Sequence, residues 1–110
     1  MGRRFCEKYE LPYSVVVVVR SICADYKRRR DAIERRRDAA EVLLEYERLN
    51  GIVDLALSEV ECGIRQTMLE DVSLGRGYDF SPASPFLAKN TYYSRKHKLV
   101  YDIARGMRLI

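Results

Sequence analysis

Apolar residues recur at helical spacing along most of the chain. Val15, Val19, Ile22, Cys23, Tyr26 and Ile33 fall on one side of a helical wheel, and no period-two alternation competes with them. Five consecutive valines, Val15–Val19, taken alone would favour a strand. Their continuation decides for a helix, predicted over residues 12–36 with Pro12 in its first turn, where a missing N–H costs nothing. From Pro12 to Asn50 there is neither glycine nor a further proline to interrupt it. Val17 points away from the apolar stripe and Val18 lies at its edge, so this end is expected to be covered on two sides, by another helix or a second subunit.

A second helix is predicted to start at Asp38, where D-A-A-E places Glu41 three residues on as in a capping box. Val42, Tyr46, Leu49, Val53, Ala56 and Val60 then alternate spacings of four and three, a short heptad seam. Three heptads are too few for a free-standing coiled coil, so an antiparallel hairpin of the first two helices is the better reading. Gly63 marks a break, and Ile64, Met68, Leu69 and Val72 form a short third helix that stops at Gly75. Gly75, Gly77, Pro82 and Pro85 punctuate a loop over residues 75–88. Helix returns near residue 89 and runs to about 107.

In that last helix Tyr92, Leu99, Val100, Ile103 and Met107 share an arc of roughly 100° and form the core face. Asn90, Thr91, Ser94, Lys98, Tyr101 and Arg105 lie opposite, with Tyr93 and Arg95 on the flanks. Lys96 falls inside the core arc, where it must snorkel, burying its stem while its ammonium reaches water. Small polar, basic and aromatic groups on one side of a core-anchored helix are the chemistry of groove recognition. Asn pairs with adenine, Ser and Thr reach base edges, and Arg or Lys pairs with guanine or phosphate. Lys89, Asn90, Thr91, Tyr93, Ser94, Arg95 and Lys98 are therefore the candidate contacts to duplex DNA.

The segment TYYSRKHKLVYDI, residues 91–103, resembles the second helix of the C-terminal promoter-binding region of sigma factors, T-[apolar]-x-S-R-[apolar]-x-[KR]-A-x-x-x-[apolar]. Thr91, Ser94, Arg95, Lys98 and Ile103 match in register. With its size and its NTYYSRKHKLVYDIA ending, the chain looks most like small phage and prophage transcriptional regulators of the ArpU/RinA type. The resemblance is specific over residues 86–104 and architectural over residues 1–74. It implies an all-α chain, a helical hairpin followed by a sigma region 4-like helix-turn-helix, with RNA polymerase as a further partner and the bacterial cytoplasm as the site of action. Pro82 and Pro85 leave room for one or two helical turns directly before the last helix. The first helix of the pair is thus either that short or lies at residues 61–74, across a longer loop.

The 110 residues fit a single domain, with 1–74 as hairpin plus third helix and 89–110 as recognition helix and tail. Hydrophobic content of 47% with 33% charge is a globular profile. No run approaches the roughly 20 apolar residues of a membrane span, and nothing resembles a signal peptide, so a soluble intracellular protein is expected. Charge is segregated. Residues 27–37 hold seven basic and two acidic side chains, net +5; residues 38–72 hold nine acidic and two basic, net −7; residues 85–110 return to net +5. Lys27, Arg28, Arg35, Arg36 and Arg37 are candidate phosphate contacts, unless pairing with the acidic second helix consumes them.

No enzyme constellation appears. His97 is the one histidine, with no Asp, Cys or Ser partner nearby in sequence, and reads as a surface residue. There is no P-loop, GxGxxG, HExxH or paired-cysteine pattern, so no catalytic residue, metal or cofactor is assigned. Cys6, Cys23 and Cys62 are lone thiols, with Cys23 and Cys62 at core spacing. Two readings stand: a regulator that binds duplex DNA through residues 89–98, or a non-catalytic helical interaction module. The valine-rich first helix would join two copies in the second, and a DNA-binding homodimer would combine both.

Overall fold

A computed structural model describes residues 10–110. Five α-helices make up most of them: α1 Tyr13–Ala24, α2 Tyr26–Arg35, α3 Ala40–Leu57, α4 Arg65–Leu74 and α5 Lys89–Gly106, with single 3-10 turns at Cys62–Ile64 and Tyr78–Phe80. There is no strand among the described residues, so the chain is all-α as its periodicity predicts. None of these helices is long and apolar enough to cross a membrane.

The helix expected over 12–36 is two helices, joined at Asp25, whose backbone leaves helical geometry at φ −97°, ψ 4°. Arg29 holds this joint. It is almost fully buried, donates from Nη2 to the Ile22 carbonyl at 2.6 Å, and from Nε to Oδ1 of Asn50 at 2.6 Å. Asn50 in turn donates to the Tyr26 carbonyl at 3.2 Å. The carbonyls on either side of the joint are thereby satisfied by side chains, as buried backbone acceptors must be.

The joint changes the packing partners. α2 packs against α3, while α1 lies chiefly against α4. The α3 seam is also shifted from the expected one. Leu43, Asn50, Val53, Leu57 and Val60 are buried, whereas Val42 is exposed. Counting apolar side chains alone passed over Asn50, which occupies a core-facing position because Arg29 meets it there. Asp38 does not cap α3: Ala39 sits at the N-cap in extended conformation, and no side chain bonds the first turn. α2 ends at Arg36 in the left-handed region, φ 51°, and that turn moves the helix start one residue on.

α4 ends where expected. Gly75 adopts φ 68°, and the Arg20 guanidinium lies 2.5 Å from where its Cβ would stand. Val19 and Cys23 of α1, Met68, Leu69 and Val72 of α4, the C-terminal half of α3 and the inner face of α5 form one core. Burial pushes the Cys23 thiol up to about 12, leaving it an inert core residue. Cys62, expected at a core position, is exposed because the chain leaves helical geometry after Leu57. Cys6 lies outside the described residues.

Asn50→Ala should strip the buried Arg29 guanidinium of its side-chain acceptor and destabilise the fold by about 2 kcal/mol. Next to it, Gly51 is exposed in mid-helix with nothing within 4 Å of an added Cβ. Gly51→Ala should therefore stabilise by about 1 kcal/mol. Urea unfolding midpoints of the two variants should move in opposite directions, and movement the same way would contradict this packing.

Candidate nucleic-acid interface

α5 is set on the molecule by its predicted stripe. Tyr92, Leu99, Val100, Ile103 and Ala104 are buried, and Met107 packs at the edge of the core. Tyr92 is the anchor. Its hydroxyl donates to Oδ2 of the fully buried Asp71 at 2.7 Å, and Nε of Arg76 donates to Oδ1 at 2.6 Å. One carboxylate thus joins α4, the connection after it and α5. Burial and the adjacent Asp71 both raise the Tyr92 hydroxyl above its ordinary range, so it stays a proton donor.

The connection between α4 and α5 is irregular but tied down. The Tyr78 hydroxyl points to the carbonyls of Ser84 and Leu87, at 2.9 and 2.6 Å, and its ring stacks edge-on against Tyr92. The Tyr78 backbone N–H donates to the Tyr93 hydroxyl at 3.1 Å. Lys96 buries more than its stem: the residue is half-buried, and its ammonium lies over the Tyr92 ring at 5.6 Å and donates to the Arg76 carbonyl at 2.5 Å. Burial lowers its pKa, and burial with Lys96 beside it lowers that of His97. His97 is half-buried and stacks near Tyr93, not a bare surface group.

The outward residues divide into three sets. Lys89 and Asn90 are exposed in the first turn, with Thr91 and Ser94 partly exposed beside them. Tyr93 is half-buried, its hydroxyl engaged by the loop. Arg95 and Lys98 carry carboxylate partners. Arg95 is clamped by Glu61, with a shortest contact of 2.8 Å, and Lys98 meets Asp102 at 2.7 Å and Glu59 at 3.9 Å. The Glu61 carboxyl is held below its usual range by Arg95, and Arg95 is raised in turn.

Lys27, Arg28, Arg35, Arg36 and Arg37 are all exposed on α2 and its C-terminal turn. Their pairing is mostly within the helix and its turn. Arg28 binds Asp25, and Asp31 takes Arg35 at 3.0 Å and Arg37 at 3.5 Å. α3 supplies Arg28 with the Tyr46 hydroxyl at 3.1 Å instead of a carboxylate. Lys27 and Arg36 have no ion pair among the described residues. The two basic segments are held separately, α2 on α3 and α5 on α3 and α1. No group of three metal-ligating side chains occurs among the described residues.

The Lys98–Asp102 pair, i,i+4 on one helix, is of the kind that spacing can signal, although the sequence reading makes Lys98 only a DNA contact. Glu61 and Asp71 gave no such signal: each meets its α5 partner across a long stretch of chain. Searched against family models, curated proteins and solved structures, the chain matches none.

Tyr92→Phe would leave the ring in place but remove a donor from the buried Asp71 carboxylate. A loss of about 1–3 kcal/mol is expected, read as a lower thermal midpoint. An unchanged midpoint would show that Asp71 does not depend on Tyr92.

Proposed function

We propose that this protein is a small, non-catalytic transcriptional regulator of phage or prophage type that binds duplex DNA with α5 in the major groove. One observation carries the reading. α5 rests on the core by a single stripe and turns Lys89, Asn90, Thr91, Ser94 and Arg95 away from it in its first two turns. These are donor-rich side chains able to address phosphates and base edges. In the sigma region 4-like scheme α4 is the first helix, residues 75–88 are an extended turn and α5 is the recognition helix. The ArpU/RinA-like ending of the sequence supports this scheme, and it would add RNA polymerase as a protein partner in a bacterial cytoplasm. Lys27, Arg28, Arg35, Arg36 and Arg37 are a second set of phosphate contacts, with Lys27 and Arg36 the most available.

A second observation favours self-association. The exposed face of α1 is formed by Tyr13, Ser14, Val17, Val18, Ser21 and Ala24, uncharged but for the partly exposed Arg20 at its edge, in a chain that is 33% charged. Val17 and Val18 are 40% and 41% exposed. Charge depletion is the compositional mark of an interface core, and an uncharged face can meet its own copy without like-charge repulsion. Two copies joined there would give a DNA-binding homodimer. Without DNA binding, the same face would leave a helical interaction module.

Fluorescence anisotropy against random duplex DNA at low and physiological salt tests the first reading. Binding should weaken steeply with salt, and Lys89→Ala should flatten the log–log slope by about 0.9, one phosphate's share. Absence of binding at low salt would remove the regulator reading. Sedimentation of the free protein tests the second: a dimer converted to monomer by Val18→Asp is expected, and a wild-type monomer at all concentrations rules out the α1 contact.

A further inference from the structure

Glu61 stands in the connection between α3 and α4, and that connection is fixed. Val60 beside it is buried, and Arg65 holds the carbonyls of Val60 and Ser58 from Nε and Nη2, at 2.7 and 3.1 Å. From this fixed position Glu61 meets Arg95 side-on. Nε of Arg95 donates to both carboxylate oxygens at 3.0 Å, and Nη2 donates to Oε2 at 2.8 Å. A guanidinium has two bidentate edges, a side edge of Nε and one Nη, and an end edge of both Nη groups. Glu61 takes the side edge. Among the described residues Nη1 donates to nothing, and the Arg95 side chain remains 37% exposed.

We infer that Glu61 is a positioning residue that holds Arg95 with its end edge outward to read the O6 and N7 acceptors of a guanine. The inference rests on the duplex-DNA reading above. The end edge offers two parallel N–H donors, the pattern that pairs bidentately with guanine in the major groove. Clamping removes rotamer freedom that an unsupported arginine would lose on binding. Charge separates this role from phosphate binding. Non-specific affinity comes from neutralising phosphates, and the adjacent carboxylate cancels most of what Arg95 could contribute. Lys98 is likewise paired with Asp102. Exposed Lys89, with no ion pair among the described residues, keeps its charge for the backbone. α5 is thus divided, with phosphate contact at its first turn and a neutralised, oriented base reader one turn later.

The test starts by enriching duplexes from a random pool with the full chain. Each guanine of the enriched site is then replaced by 7-deazaguanine, which lacks the N7 acceptor. One position should weaken wild-type binding about tenfold. Glu61→Ala should lose that discrimination while its affinity for random duplex stays level or rises, since a negative charge has gone. Glu61→Gln, which keeps one acceptor for Arg95, should retain part of it. Thermal midpoints of both variants confirm folding, and the half-exposed Glu61→Gln serves if Glu61→Ala is unstable. Discrimination unchanged in Glu61→Ala overturns the positioning role. Binding without any guanine preference overturns the inference alone. No binding to any duplex removes the DNA reading with it.

Discussion

A buried carboxylate must be paired, and in this molecule the pairing of Asp71 fixes the geometry of everything C-terminal to α4. A charge out of contact with water is costly unless hydrogen-bonded on its lone pairs. Asp71 is met by Arg76 from the following turn and by Tyr92 from α5. Tyr92 then carries Tyr78 edge-on, Tyr78 gathers the irregular connection around its hydroxyl, and Lys96 closes over the Arg76 carbonyl. The rotation of α5 about its axis, and so the set of residues it turns outward, follows from where the Tyr92 hydroxyl must reach. A segment rich in proline and glycine stays ordered because side chains replace the backbone ladder it lacks.

The same logic operates at the other end of the molecule with the charge reversed. The buried Arg29 guanidinium ties the last turn of α1, the first of α2 and the middle of α3 through one carbonyl and one amide. Polar joints of this kind add little net stability compared with apolar packing, but removing one partner leaves the other buried and unsatisfied. They specify which arrangement of helices is allowed. Here they bend a continuous helical pattern, so that α1 joins the main core with α4 while α2 packs against α3.

Electrostatics along the chain and in the fold tell different stories. The sequence divides into basic, acidic and basic blocks, which suggests two free cationic surfaces. In the fold many of these charges find close partners: Asp25 and Asp31 take α2 arginines, Glu61 takes Arg95, and Asp102 takes Lys98. What remains among the described residues is a smaller set of cations without an ion pair, Lys27, Arg36 and Lys89 among them, and a set of oriented donors. The distinction matters for recognition, because free charge gives affinity for any duplex whereas an oriented donor pair discriminates among bases.

Periodicity alone was enough to place the helix of residues 89–106, its core stripe of Tyr92, Leu99, Val100 and Ile103, the glycine stop at residue 75 and the all-α class. Each is a local matter, set by a 3.6-residue repeat or by one residue's allowed φ. The valine-rich helix was legible too, but not its end at Asp25. Nor was the burial of Asn50, the exposure of Val42 or the clamp on Arg95. The burial of Asn50 and the clamp on Arg95 depend on partners far along the chain, Arg29 and Glu61, as does the bond from the Tyr92 hydroxyl to Asp71. Spacing rules describe neighbours one or two turns away. The tertiary structure alone decided which polar groups would be buried together, because the cost of an unpaired buried group is settled by whatever residue the fold brings to it.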